Sequence, residues 1–75
     1  MNEGFLMLRL FTRAADIISL ETQFDCQANE YLAVLHLPEG VEIRERFACA
    51  KSLDARLVAI EQRLTAQLWR RSTAQ

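Results

Sequence analysis

The sequence predicts a small α+β protein with the element order α-β-β-β-α, in which a three-stranded antiparallel meander packs against a C-terminal amphipathic helix. Two middle segments show the two-residue period of strands, and a Pro-Glu-Gly turn precedes a third alternating segment. The last 20 or so residues repeat apolar side chains every three or four positions. With 75 residues, the chain is expected to form a single domain, 1–75.

The first segment, NEGFLMLRLFTRAAD, is predicted to be a helix over residues 4–14. Leu, Met, Arg and Ala are good helix formers, and Asn2 is a candidate cap. Phe5, Leu8 and Phe11 would form one stripe. A strand remains an alternative because periodicity does not decide so short an apolar run. The strand would place on one side Leu6, Leu8 and Leu10, and on the other Phe5, Met7 and Phe11.

The next two segments are predicted to be strands. DIISLETQF alternates, and its inward positions are Ile18, Leu20, Thr22 and Phe24. EYLAVLHL is apolar on both faces, which is typical of a central strand with little water on either side. The turn formers Asp25 and Asn29 separate the two segments.

The stretch Leu37–Cys49, LPEGVEIRERFAC, is predicted to complete the meander as a hairpin. Its outward positions are Glu42, Arg44 and Arg46, and Glu45 is the one charged residue that would point inward. The hairpin interpretation therefore requires Glu45 to lie at an edge, at a bulge or in a salt bridge. The alternative is a smaller sheet with one long helix over 41–71, because the apolar spacing of three or four continues from Ile43 onwards.

The segment SLDARLVAIEQRLTAQLWRR is predicted to be the C-terminal helix. Ser52 is its expected N-cap, and Arg70 and Arg71 would lie at its C-terminal end, where positive charge is favoured. The apolar stripe consists of Leu53, Leu57, Ile60, Leu64 and Leu68.

Composition restricts the class of protein. A net charge of −1 and a pI near 5.7 give no basic excess, so nucleic-acid binding is not expected. No apolar run approaches the length of a membrane span, and the N-terminus lacks the features of a secretory signal, so we expect a cytoplasmic protein. Cys26 and Cys49 are expected to be reduced, partly buried packing residues.

No catalytic, cofactor-binding or metal-binding pattern is present in the sequence, and we expect no enzyme activity. His36 is the only histidine and lies inside the most apolar segment, where a structural role is expected. The two glycines are too far apart for a phosphate-binding loop. One histidine and two separated cysteines do not form a zinc ligand set.

The residues predicted to bind a partner are aromatic and cationic: Trp69, Arg70, Arg71, Arg44 and Arg46. Tryptophan and arginine are enriched at interfaces. The alternative for Trp69 is that it folds back and caps the small core. Four further apolar residues are more than a 75-residue monomer is expected to bury, which suggests a homodimer: Phe5, Leu6, Met7 and Leu10.

Two stretches resemble known families in outline. The order α-β-β-β-α, with GVEIRERFACAKSLDARLVAIEQRL as last strand and helix, resembles a double-stranded-RNA-binding domain. That family has a basic cluster at the start of its last helix, and the matching place here reads AKSLDAR, where Asp54 separates Lys51 from Arg56. The stretch NEGFLMLRLFTRAADIISLE looks like the first helix and second strand of ACT-type regulatory domains.

The predicted function is a small non-catalytic protein-binding module that docks on a larger protein and inhibits or modulates it. In size and composition the chain is similar to small inhibitors carried by phages and mobile elements. The resemblances imply two alternatives, a small-ligand regulatory module of ACT type and an RNA-binding domain that reads shape.

Overall fold

The computed structural model describes residues 3–72 and has an α+β architecture, in which a helix covers one face of a five-stranded antiparallel sheet. The strands occur in the sheet order β4-β3-β2-β1-β5. In chain order the elements are β1 (Glu3–Arg13), β2 (Asp16–Asp25), β3 (Glu30–His36), β4 (Glu42–Phe47), α1 (Ala50–Ala66) and β5 (Arg70–Arg71).

The predicted N-terminal helix over residues 4–14 is wrong, because this segment is strand β1. It pairs with β2 along nearly its whole length, across a two-residue turn in which Ala14 has φ 54°. A bulge lies between Phe5 and Met7. Pairing on both sides of the strand outweighs the moderate helix propensity of its residues. The expected cap, Asn2, lies outside the described residues.

The predicted meander is present as β2, β3 and β4, and the alternative long helix over 41–71 is wrong. The Pro-Glu-Gly turn is closed by hydrogen bonds from Leu37 N to Val41 O (2.8 Å) and from Gly40 N to Leu37 O (3.0 Å). Gly40 has φ +90°, a conformation that glycine adopts without strain. Glu45 points inward on edge strand β4 and accepts a hydrogen bond from Arg56 Nε at 2.9 Å, as the hairpin interpretation required.

Helix α1 begins earlier than predicted. Ser52 lies inside the helix, and the N-cap position is Cys49, whose side chain makes no capping hydrogen bond. The side chains of α1 that face the sheet are Leu53, Leu57, Ile60 and Leu64, as predicted. They pack on buried residues of the same sheet face: Phe11, Ile18, Leu20 and Ala33.

The chain after α1 differs from the prediction, because the helix ends at Ala66. Trp69 N donates to Leu64 O at 2.9 Å and Leu68 N donates to Thr65 O at 3.0 Å, which is the hydrogen-bond pair of a Schellman motif. Leu68 occupies the left-handed position with φ 71° and is 78% exposed, so it does not extend the buried stripe. The motif turns the chain back, and Arg70 and Arg71 form β5 beside β1 rather than the end of a helix.

Both cysteines are exposed free thiols, so the prediction that they are packing residues is wrong. Cys26 lies in the turn after β2, and Cys49 lies between β4 and α1. A hydrogen bond to the Ser52 hydroxyl, 3.3 Å from Cys49 Sγ, lowers the pKa of the Cys49 thiol.

Candidate partner-binding face

The face of the sheet opposite α1 has no layer of structure over it within residues 3–72, and we refer to it as the open face. Alternation along β1 assigns the sides of the sheet. Phe11 belongs to the core and Arg9 forms an ion pair with Glu61 of α1, so their neighbours Leu8 and Leu10 point to the open face. The register with β2 places Phe5 and Ile17 on the same side.

These four apolar side chains form the apolar patch: Phe5, Leu8, Leu10 and Ile17. Their exposed fractions are 61%, 52%, 39% and 56%. Together they expose on the order of 400 Å², comparable with the largest apolar patch of a typical monomer, which is often functional. Leu6, in the bulge of β1, is also exposed, at 52%.

The half of the open face nearer β4 is different. Leu32 and Val34 of β3 point away from α1, yet they are 2% and 3% exposed. In the rows across the sheet, Val34 lies between Glu21 and Arg44. Leu32 lies in the same way between Gln23 and Arg46. The aliphatic parts of long polar side chains cover neighbouring apolar surface in such positions, which accounts for this burial.

The charges of this half are paired with one another. Arg44 lies beside Glu42, and the hydrogen bond from Arg44 lowers the pKa of the Glu42 carboxyl. Arg46 contacts Asp25 (3.4 Å) and Glu30 (3.5 Å). This half of the open face is therefore a mixed-charge surface, next to the apolar patch.

The structure does not bring the predicted partner-binding residues together. Arg44 and Arg46 lie on β4, and Arg70 lies on β5 at the other edge of the sheet, about 19 Å away at four strand spacings. Arg70 pairs with Thr12 and so lies on the open face. Arg71 lies on the helix side, 4.0 Å from Glu61.

Trp69 lies in the core, where its alternative interpretation placed it. It is 6% exposed, and the Arg13 guanidinium lies 4.4 Å from the centre of its ring. In this conformation Trp69 offers almost no surface to a protein partner.

Sequence reasoning identified part of the apolar patch. Phe5 and Leu10 were among the residues expected to be in excess of the core, and both are exposed. Met7, which was expected with them, packs against the core. Leu8 and Ile17 were missed as site residues, although strand alternation in β1 and β2 would have placed both opposite the core positions.

The two family resemblances do not extend to the described fold. Both place a helix in the N-terminal segment, where the structure has strand β1. Comparisons with protein-family models, curated proteins and solved structures found no match to the chain.

Two further properties of the described residues bear on the class of site. Between residues 3 and 72, no helix has the length and apolarity needed to cross a membrane. In the same range, no three His, Cys, Asp or Glu side chains are grouped closely enough to hold a metal ion.

Proposed function

We propose that the protein is a non-catalytic protein-binding module, and that it docks through its open face on a larger protein, which it inhibits or modulates. The observation that carries this proposal is the apolar patch on an uncovered sheet face. A two-layer domain needs only one apolar sheet face for its own core. The second apolar region favours a partner that covers it.

The size of the face indicates how much surface a partner must engage. Burying about 400 Å² of apolar area contributes on the order of 10 kcal/mol at about 25 cal/mol per Å². That gain is similar to the cost of association, which is about 4–15 kcal/mol, so the partner must also engage the polar surroundings of the patch. The sheet face is about 24 Å long for seven residues and about 19 Å wide, or roughly 460 Å², which is about half of the roughly 800 Å² that each partner contributes to an interface of ordinary size, so the partner must also contact surface beyond this face.

The charges around the patch define the chemistry of the partner. Arg70 borders the patch in the row that contains Thr12 and Ile17, and among the described residues it has no ion pair. On the far side of the face lie Arg44 and Arg46. We therefore propose a partner surface with an apolar centre and with a carboxylate at its rim that reaches Arg70.

Paired substitutions test the proposal. Ile17→Lys places a charge inside the apolar patch, and Val58→Lys makes the same change on α1, at a residue that is also 56% exposed. We expect a protein captured from lysate by the wild type and by Val58→Lys to be captured at least about tenfold less by Ile17→Lys, because a buried unpaired charge costs several kcal/mol. Circular dichroism must show that both variants are folded.

Other results would contradict the proposal. If Ile17→Lys and Val58→Lys capture the same protein equally well, the open face is not the docking surface. Light scattering measures the molar mass in solution and so tests whether a second copy of the chain covers this face. If the wild type is a dimer that Ile17→Lys dissociates, the open face belongs to the homodimer instead of to a larger partner.

A further inference from the structure

A cleft of about 670 Å³ lies on the helix side of the sheet, at the end of the molecule where β1 meets β2 and the last turn of α1 ends. Its apolar lining includes Leu35, Leu37 and Pro38, and the largely buried Trp69 also borders it. Charged side chains of both signs surround this lining. We infer that the cleft is a second binding site, separate from the open face, for a short apolar peptide with free termini.

The two cations at the cleft suit a carboxylate. The guanidinium of Arg13 is held over the Trp69 ring and donates one hydrogen bond to the Gln67 carbonyl at 3.0 Å. A guanidinium has five N–H donors, so most of those of Arg13 are available to a ligand. Arg63, on the helix, forms no ion pair or hydrogen bond with another side chain in the part of the chain that the structure describes. A preorganised guanidinium, with a second one lining the same cleft, favours a carboxylate.

The two carboxylates at the cleft suit an ammonium group. Asp16 lies opposite Arg13 in the register of β1 and β2. Glu39 lies farther from Arg13, in the turn between β3 and β4, and is therefore the carboxylate that would bind the ammonium group of an extended ligand. Across residues 3–72, neither side chain forms a salt bridge or a hydrogen bond. Because the cleft has two charges of each sign, it matches a zwitterion better than a simple anion or cation.

The dimensions favour a peptide over a single amino acid. Arg13 ends β1, and Glu39 follows β3, two strand spacings away, or about 10 Å. An extended peptide covers about 3.3–3.6 Å per residue, so about three residues separate the two ends. Leu35, Leu37 and Pro38, which are at least partly exposed, would contact the apolar side chains of such a peptide. A volume of 670 Å³ lies within the usual range of ligand clefts, about 300–1,000 Å³.

The experiment uses Trp69, the one tryptophan of the chain, as a reporter in the wall of the cleft. Trileucine is titrated into the full chain, and tryptophan fluorescence is measured. We expect a saturable change, with affinity reduced about tenfold by Arg63→Gln or by Glu39→Gln, since a hydrogen bond to a charged group contributes about 1.5–3 kcal/mol. Lys51→Gln, at the exposed start of α1 and outside the cleft, is the control and should bind as the wild type does.

Trileucine with an acetylated N-terminus and an amidated C-terminus tests the role of the termini. It should bind at least about tenfold more weakly than free trileucine, because it lacks both charges. The inference is overturned if trileucine produces no saturable change at millimolar concentration. It is also overturned if the capped peptide binds equally well, or if Lys51→Gln weakens binding as much as Arg63→Gln. Melting temperatures measured without peptide show whether each variant is folded.

Discussion

Replacing Trp69 with alanine separates its structural role from a role in partner binding. Its ring is 6% exposed and packs in the core, so Trp69→Ala should destabilise the fold by about 3–5 kcal/mol. A domain of 75 residues has a total stability of about 4–11 kcal/mol, so this change removes a large part of it. At about 4–8 °C per kcal/mol, the melting temperature should fall by more than about 12 °C.

Urea denaturation followed by far-UV circular dichroism measures this loss without depending on tryptophan fluorescence. Leu68→Ala is the control, because Leu68 is the adjacent residue and is 78% exposed, and it should change stability by less than about 0.5 kcal/mol. Trp69→Phe should retain more stability than Trp69→Ala, because the aromatic ring still fills part of the site. The reasoning is refuted if Trp69→Ala unfolds at the same urea concentration as the wild type. Loss of partner capture by that stable variant would then support the anchor role instead.

Three further predictions concern the turns and ion pairs of the fold. Leu68→Gly should stabilise the protein by about 1 kcal/mol, measured by thermal unfolding, because residue 68 has φ 71° and glycine adopts that conformation without strain. A double-mutant cycle on Glu45→Ala and Arg56→Ala should give a coupling energy of about 0.2–1 kcal/mol, since both side chains are more than one third exposed; a value near zero would mean that the inward carboxylate is held by hydration alone. The hydrogen bond from the backbone N–H of Ala28 is the main cause that lowers the pKa of Asp25. The Asp25 carboxylate therefore stabilises the fold above about pH 4, and this contribution is lost as the pH falls through the lowered pKa. Wild type and Asp25→Ala should differ in melting temperature at pH 7, and the difference should disappear in acid.

The meander could be predicted from the sequence because its signals are local. Alternation in β2 and the Pro-Glu-Gly turn each describe a few consecutive residues. Glu45 did not fit that alternation, because it is a charged residue at an inward position. In the structure its carboxylate forms a salt bridge with Arg56 of α1. One charged residue in an inward position was thus compatible with a strand because an edge strand allows its side chain to reach a cation.

The end of the helix could not be predicted, because its stop signal is absent from the sequence. The left-handed position of a Schellman motif usually holds glycine, and here it holds Leu68, which also continues the apolar spacing of α1. The cleft could not be predicted either. Its charged residues come from three separate parts of the chain, the β1–β2 turn with Arg13 and Asp16, the turn with Glu39, and α1 with Arg63, and only the tertiary fold brings them to one place.

The same property of β1 makes its sequence compatible with either a helix or a strand and produces the proposed docking surface. In a short stretch of sequence, a strand that is apolar on both faces has the same apolar pattern as a helix. Strand β1 is apolar on both faces because Phe11 packs in the core while Leu8 and Leu10 lie on the open face. Strand β3 is also apolar on both faces, but long polar neighbours on β2 and β4 flank its outward residues, which are buried. At Leu8 and Leu10, strand β1 has a long polar neighbour only on its β2 side, where Glu21 lies beside Leu8. The neighbour of Leu10 on β2 is the short Ser19. On its other side β1 pairs with β5 only at Phe11 and Thr12, so no row of long polar side chains flanks the patch there. The difference between the two strands thus lies in their neighbours, and it leaves β1 as the strand whose second apolar face is exposed, which is the basis of the proposed docking surface.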